Sequence, residues 1–200
     1  MGDLILLRHG ETEWSLAGKH TGRTDVPLTR RGEAAAAALA PLLAKRDIIA
    51  VLTSPAQRAL LTADLALGPL AASAQQDPDL WEWDYGGYEG KTTAEIQEQH
   101  PGWYLWRDGV IPGDADHPGE SVEEVGLRTD RVLARVWPLL NEGDVTLVAH
   151  GHVLRVLTAR WLGLPPSGGR LFSLDTGTIS TLGFEHEERV ILTWNVPGGH

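Results

Sequence analysis

The sequence predicts an α/β fold with a mostly parallel central sheet. Three apolar runs of buried-strand type, residues 4–7, 48–52 and 145–149, are separated by stretches of helical periodicity, and each run ends on polar residues suited to chemistry. Parallel strands followed by helices bring such tips to one sheet edge, where open α/β folds gather their ligand sites.

The first run leads into Arg8-His9-Gly10 and then Glu11-Thr12-Glu13-Trp14. The alanine-rich stretch 31–46 is a strong helix former with a packing role. After residues 48–52, Ser54 is expected as a helix N-cap, with Pro55 at the first helical position, Gln57 completing a capping box and Arg58 in the first turn. Residues 81–119 are richer in Trp, Gly and Pro than their flanks and read as an irregular, lid-like insertion with short helices over the sheet edge. Ser121-Val122-Glu123-Glu124 is a capping box opening a helix through Val136. The run 145–149 ends in His150-Gly151-His152 and opens a helix through Trp161. Residues 176–184 and 190–194 alternate as a hairpin at one edge of the sheet. No repeat or linker divides the chain, so residues 1–200 are expected to form one domain.

Two hundred residues at 42% hydrophobic suit a domain with a sizeable core, and no window is apolar for long enough to span a membrane. The first strand begins close to Met1, which argues against a cleaved leader and for a soluble, cytoplasmic protein. Without cysteine there are no disulfides, thiolate zinc sites or cysteine nucleophile. A net charge of −10 opposes general affinity for nucleic acid or anionic membrane, so any attraction for phosphate must be local.

A histidine at a strand tip beside a guanidinium is placed to attack a phosphoryl group and hold its charge. A tripeptide recurs by chance, so the argument rests on the complementary residue types at the other tips, Arg58 and His150. Residues 86–92 imitate a nucleotide P-loop but have one residue too few between the glycines and no preceding strand. His9, His150 and His152 could in principle hold zinc, but the Arg-rich setting opposes a cation. His20, His100, His117, His186 and His200 sit in polar or turn-like stretches and are expected in solvent, and Trp103 and Trp106 are at least as suited to core packing as to substrate stacking.

The ordered set of motifs resembles the histidine phosphatase superfamily, which includes cofactor-dependent phosphoglycerate mutases and many small phosphatases. The match runs through residues 6–12, Thr21-Gly22-Arg23-Thr24-Asp25, Ser54-Pro55 with Arg58-Ala59, Glu82 with Gly86 and Tyr88-Glu89-Gly90, Gly119-Glu120-Ser121 and Ala149-His150-Gly151. Glu82-Trp83-Asp84-Tyr85-Gly86 and residues 103–121 resemble an acid phosphatase-like, actinobacterial-type branch. The resemblance implies a three-layer α/β/α sandwich of phosphoglycerate mutase-like topology.

It also implies that His9 attacks phosphorus and becomes phosphohistidine, while Arg8, Arg58 and His150 surround the phosphoryl oxygens. Thr21, Gly22 and Gly151 are the further implied substrate contacts, with backbone N–H groups of the helix opened by Gly151 pointing at phosphate. The arginines should keep His9 neutral near its ordinary value of ~6.5. Glu82 matches the proton donor, with Asp84 and Glu89 as rivals, and Trp81 and Trp83 are expected to desolvate its carboxyl, raise its pKa and favour activity at mildly acidic pH. Ser15 stands where many relatives place asparagine, which puts that phosphate contact in question.

The implied reaction is metal-independent hydrolysis of a small phosphorylated metabolite without a cofactor. Cofactor-dependent phosphoglycerate mutase is the alternative, and a phosphoprotein phosphatase or a pseudoenzyme that only binds phosphorylated ligands comes after it. The mutases carry a longer insertion with adjacent arginines, whereas between Glu82 and Gly119 this chain has only Lys91 and Arg107. No nucleic-acid or membrane partner is expected, and a homodimer is left open.

Overall fold

A computed structural model describes residues 1–199. In chain order the strands and α-helices are β1 (Leu4–Arg8), α1 (Glu13–Leu16), α2 (Arg30–Ala37), α3 (Ala40–Leu43), β2 (Ile48–Thr53), α4 (Gln57–Leu67), β3 (Gln75–Gln76), α5 (Thr93–Gln99), α6 (Leu105–Asp108), α7 (Val122–Val136), β4 (Asp144–Ala149), α8 (Gly151–Trp161), β5 (Thr178–Glu185) and β6 (Glu188–Pro197). The six strands form one sheet in the order β3-β2-β4-β1-β5-β6. The first four are mutually parallel, and β5 and β6 close one edge as the expected antiparallel hairpin.

Alternation along the central strands creates the layers. Leu4 and Leu6 join Val125, Val132, Leu154 and Leu157 of α7 and α8 in one core, while Ile5 and Leu7 join Leu39, Leu43, Ala59 and Ala63 of α2–α4 and their surroundings in the other. Successive strand side chains point to opposite faces, so a strand covered on both sides is apolar throughout instead of alternating. Burying a leucine-sized side chain contributes about 1.5–3 kcal/mol, which is why these four residues anchor both layers. The result is a three-layer α/β/α sandwich.

Two local expectations are corrected. The stretch 31–46 is not one helix. Thr29 caps α2 by accepting from the Gly32 N–H at 3.0 Å, but α2 ends at Ala37, and a separate short α3 carries Pro41 in its first turn. Proline lacks an N–H and its ring collides with the carbonyl four residues back, here that of Ala37, so a continuous helix stops there. Ser54 is not the cap of α4, which starts at Gln57 after Ala56. By contrast, Ser121 and Glu124 form the expected reciprocal capping box on α7.

Candidate active site

The C-terminal tips of β1, β2 and β4 lie side by side. Arg8 is in register with Ala149, the His9 N–H donates to the Ala149 carbonyl at 3.0 Å, and the Ser54 N–H donates to Val148 at 2.9 Å. These ladder bonds continue the parallel sheet one residue beyond the strands and bring His9, Ser54 and His150 together.

His9 is 6% exposed, and its Nδ1–H donates to the Gly10 carbonyl at 2.7 Å. Because a carbonyl can only accept, the neutral ring carries its proton on Nδ1 and leaves the lone pair on Nε2. Burial, then the charges of Arg58 and Arg8, hold the imidazole well below its ordinary pKa.

Arg8 places one guanidinium nitrogen on the Leu174 carbonyl, while its buried Nε has no hydrogen-bond partner. Gly151 makes room for it: a Cβ there would stand 3.1 Å from the Arg8 Cζ. Arg58 is 1% exposed and donates to the carbonyls of Thr24 and Gly22, both at 3.0 Å, and through Nε to Nδ1 of His150 at 3.2 Å. Since Arg58 can only donate, His150 accepts at Nδ1 and turns Nε2–H toward Ser54 Oγ at 2.7 Å. His150 is also held well below its ordinary pKa, by burial first and Arg58 second. The hydroxyl expected to cap a helix thus orients a histidine.

Glu82 is 5% exposed. Its Oε1 accepts from the N–H groups of Trp83 and Val153, both at 2.9 Å, and its Oε2 from that of His152 at 3.0 Å. The first turn of α8 therefore directs these two N–H groups at Glu82, where the sequence reading expected phosphate. Of the two flanking indoles, Trp81 lies parallel to the His150 ring, 6.3 Å between centroids, and Trp83 donates its indole N–H to the Glu120 carbonyl at 2.8 Å. The rival carboxylates are engaged away from His9. Asp84 faces Arg23 at 3.7 Å, and Glu89 accepts from the N–H groups of Gly22 and Thr24.

A cavity of about 370 Å³ opens on these groups. Arg8, His9, Thr21 and Glu82 line it, whereas Arg58, His150, Gly22 and Gly151 do not. Ser15 also lines it, but its Oγ accepts from the Thr12 N–H at 2.9 Å in a capping box and donates its proton to the Thr12 carbonyl at 2.9 Å.

Comparison with known proteins decides the family. The family model of the histidine phosphatase superfamily, branch 1, matches residues 4–197. The chain belongs to that family. It is 39% identical over 198 residues to an acid phosphatase of Mycobacterium tuberculosis, covering 98% of this chain and 93% of the relative. It is 38% identical over 189 residues to a sedoheptulose 1,7-bisphosphatase of Saccharomyces cerevisiae, covering 80% of this chain and 67% of the relative. A solved structure from Mycobacterium tuberculosis superposes with a TM-score of 0.90 at 39% identity over 99% of both chains. The alpha-ribazole phosphatase of Shigella flexneri gives 0.82 at 27% identity, also over 99% of both. As a histidine phosphatase the chain is a phosphoric monoester hydrolase.

The motifs assign no role in the phosphate chemistry to four cavity residues of this histidine phosphatase: His20, Tyr85, His152 and Arg155. His20, expected in solvent, is half-buried, with Nδ1–H on the Lys91 carbonyl at 2.8 Å and its ring edge-on to Tyr85 and Trp103. Tyr85 Oη and His152 Nδ1 share a hydrogen bond of 2.6 Å. Trp103 and Trp106 are buried and also wall the cavity. The one available signal was helical spacing, since Arg155 follows Gly151 by four residues and so shares its face of α8. His117 pairs with Asp114 at 3.0 Å, and His200 lies outside the described residues. Among the described residues no group of three His, Cys, Asp or Glu side chains is arranged to hold a metal ion, and no helix is long and apolar enough to cross a membrane.

Proposed function

We propose that the chain hydrolyses small phosphomonoesters through a phosphohistidine at His9, as an acid phosphatase-like enzyme that needs neither a metal nor a cofactor. The observation that carries this reading is the fixed tautomer of His9, with its Nε2 lone pair available in a cavity shared with Arg8 and Glu82.

The Nε2 lone pair attacks phosphorus and the bond from phosphorus to the ester oxygen breaks. Arg8, which lines the cavity, brings its guanidinium charge to the phosphoryl oxygens, and the charge of Arg58 also acts at His9. Glu82 gives the departing oxygen its proton. Its Oε2 accepts only one N–H, so a lone pair remains there to carry that proton. The carboxylate left behind then takes a proton from water, whose oxygen attacks phosphorus. The phosphorus–nitrogen bond breaks, and inorganic phosphate leaves with His9 neutral again.

The phosphatase names of the relatives at 39% and 38% identity support hydrolysis. Relatives named as probable phosphoglycerate mutases align at 31% and below. Against the mutase alternative, Arg107, one of the two cations in the insertion, points away from the cavity and pairs with Asp108 at 2.7 Å.

The test is phosphate release from a panel of phosphomonoesters with EDTA present, comparing the parent enzyme with His9→Ala. Release that survives chelation and vanishes in the variant supports the reading. No release from any ester would sink it, and formation of 2-phosphoglycerate from 3-phosphoglycerate would favour the mutase.

A further inference from the structure

Arg155 lines the cavity with no acidic partner within ion-pair distance among the described residues. In a chain of net charge −10, Arg46, Arg128, Arg131, Arg135 and Arg160 all pair with carboxylates. Arg155 is half-buried and reaches none. Its Nε donates to the Gly169 carbonyl at 3.1 Å, its only hydrogen bond among the described residues, and its guanidinium lies 4.8 Å from the centre of the Trp106 ring. One nitrogen and one face are thus fixed, both terminal nitrogens are without a hydrogen bond among the described residues, and the side chain lines the cavity. Partial burial of an unpaired cation is unfavourable unless something else completes it. Lys19, which also lines the cavity and pairs with no carboxylate among the described residues, adds a second positive charge.

Building on the phosphatase reading, we propose that Arg155 forms a second anion subsite, which selects phosphomonoesters carrying a further carboxylate or phosphate. Gly151 sits against Arg8, and Arg155 follows one helical turn later, ~6 Å along the same helix. That spacing suits a short chain with an anion at each end. A guanidinium held by one nitrogen still presents its other two as a fork for an oxyanion.

The test uses matched esters that differ only in the second anion: 3-phosphoglycerate against glycerol 1-phosphate for carboxylate, and fructose 1,6-bisphosphate against fructose 6-phosphate for phosphate. Dissociation constants are measured by calorimetry on the His9→Ala protein, so that no ester is consumed. Preference for the doubly anionic member of at least one pair by about tenfold is expected, falling to near one when Arg155→Gln is added and lying between for Arg155→Lys. The pair that shows the preference identifies the anion. No preference in either pair, or a preference that a folded Arg155 variant leaves unchanged, would overturn the subsite. Should neither member of either pair bind, the proposal falls, and phosphate release from glycerol 1-phosphate by the parent enzyme then tells whether the phosphatase reading falls with it.

Discussion

Arg58 Nε donates to His150 Nδ1 at 3.2 Å, and this single bond sets the tautomer of a buried histidine that packs edge-on to His9 with ring centres 5.1 Å apart. A residue expected only to hold phosphate also ties together the strand tips of the site.

Arg58→Ala therefore removes more than a positive charge. It leaves the carbonyls of Gly22 and Thr24 without their donor and frees the His150 ring, at a cost of about 1–3 kcal/mol per buried group left unsatisfied. Turnover should fall by ~10²–10³, the usual effect of losing one preorganised charge. Urea denaturation alongside kcat should show both losses, and an unchanged midpoint would contradict the structural role.

Ser54→Ala leaves Nε2–H of His150 without its acceptor while sparing the cavity wall. A loss of about 1 kcal/mol in stability is expected. Its rate effect should be much smaller than that of Arg58→Ala, as steady-state kinetics would show.

Acid stability follows from three histidines. His9, His150 and His152 are all held well below their ordinary values, burial being the first cause in each. Below ~6.5 the unfolded chain takes up protons that the folded chain refuses, so their stabilisation is complete above that pH and is lost as pH falls toward the folded values. Each contributes a slope of up to about 1.4 kcal/mol per pH unit in that window. Melting curves from pH 7.5 down to 4.5 should fall more gently for His152→Gln than for the parent.

Activity should respond differently. A neutral His9 remains a nucleophile below pH 6.5, so kcat/KM should persist into the mildly acidic range. A decline centred on pH 6.5 would show that His9 titrates normally and would contradict the proposed nucleophile environment.

Gly32→Ala tests the clamp on the nucleophile loop. A Cβ on Gly32 would come within 2.2 Å of the Glu11 carbonyl oxygen, and the neighbouring Gly10 is as tightly placed against the Gly32 backbone. Backbone cannot yield as a side chain can, so a loss of about 1–3 kcal/mol and a displaced His9 are expected. Denaturation and phosphate release measured together would report both.

The sequence by itself determined the strands and the chemistry at their tips. Residues 4–7, and 145–149 apart from Thr146, are apolar because both faces of the sheet are covered, and parallel order then forces His9, Ser54 and His150 to one edge. The capping box at Ser121 was equally legible, because its signal lies within four residues. Only the tertiary structure decided which polar groups meet. The first turn of α8 turns to Glu82, some seventy residues earlier in the chain, the hydroxyl of Ser54 goes to His150, and Arg155 enters the cavity without a partner. Period and caps are local properties of a chain, whereas hydrogen-bond partners across the cavity are chosen by the packing of segments far apart in sequence.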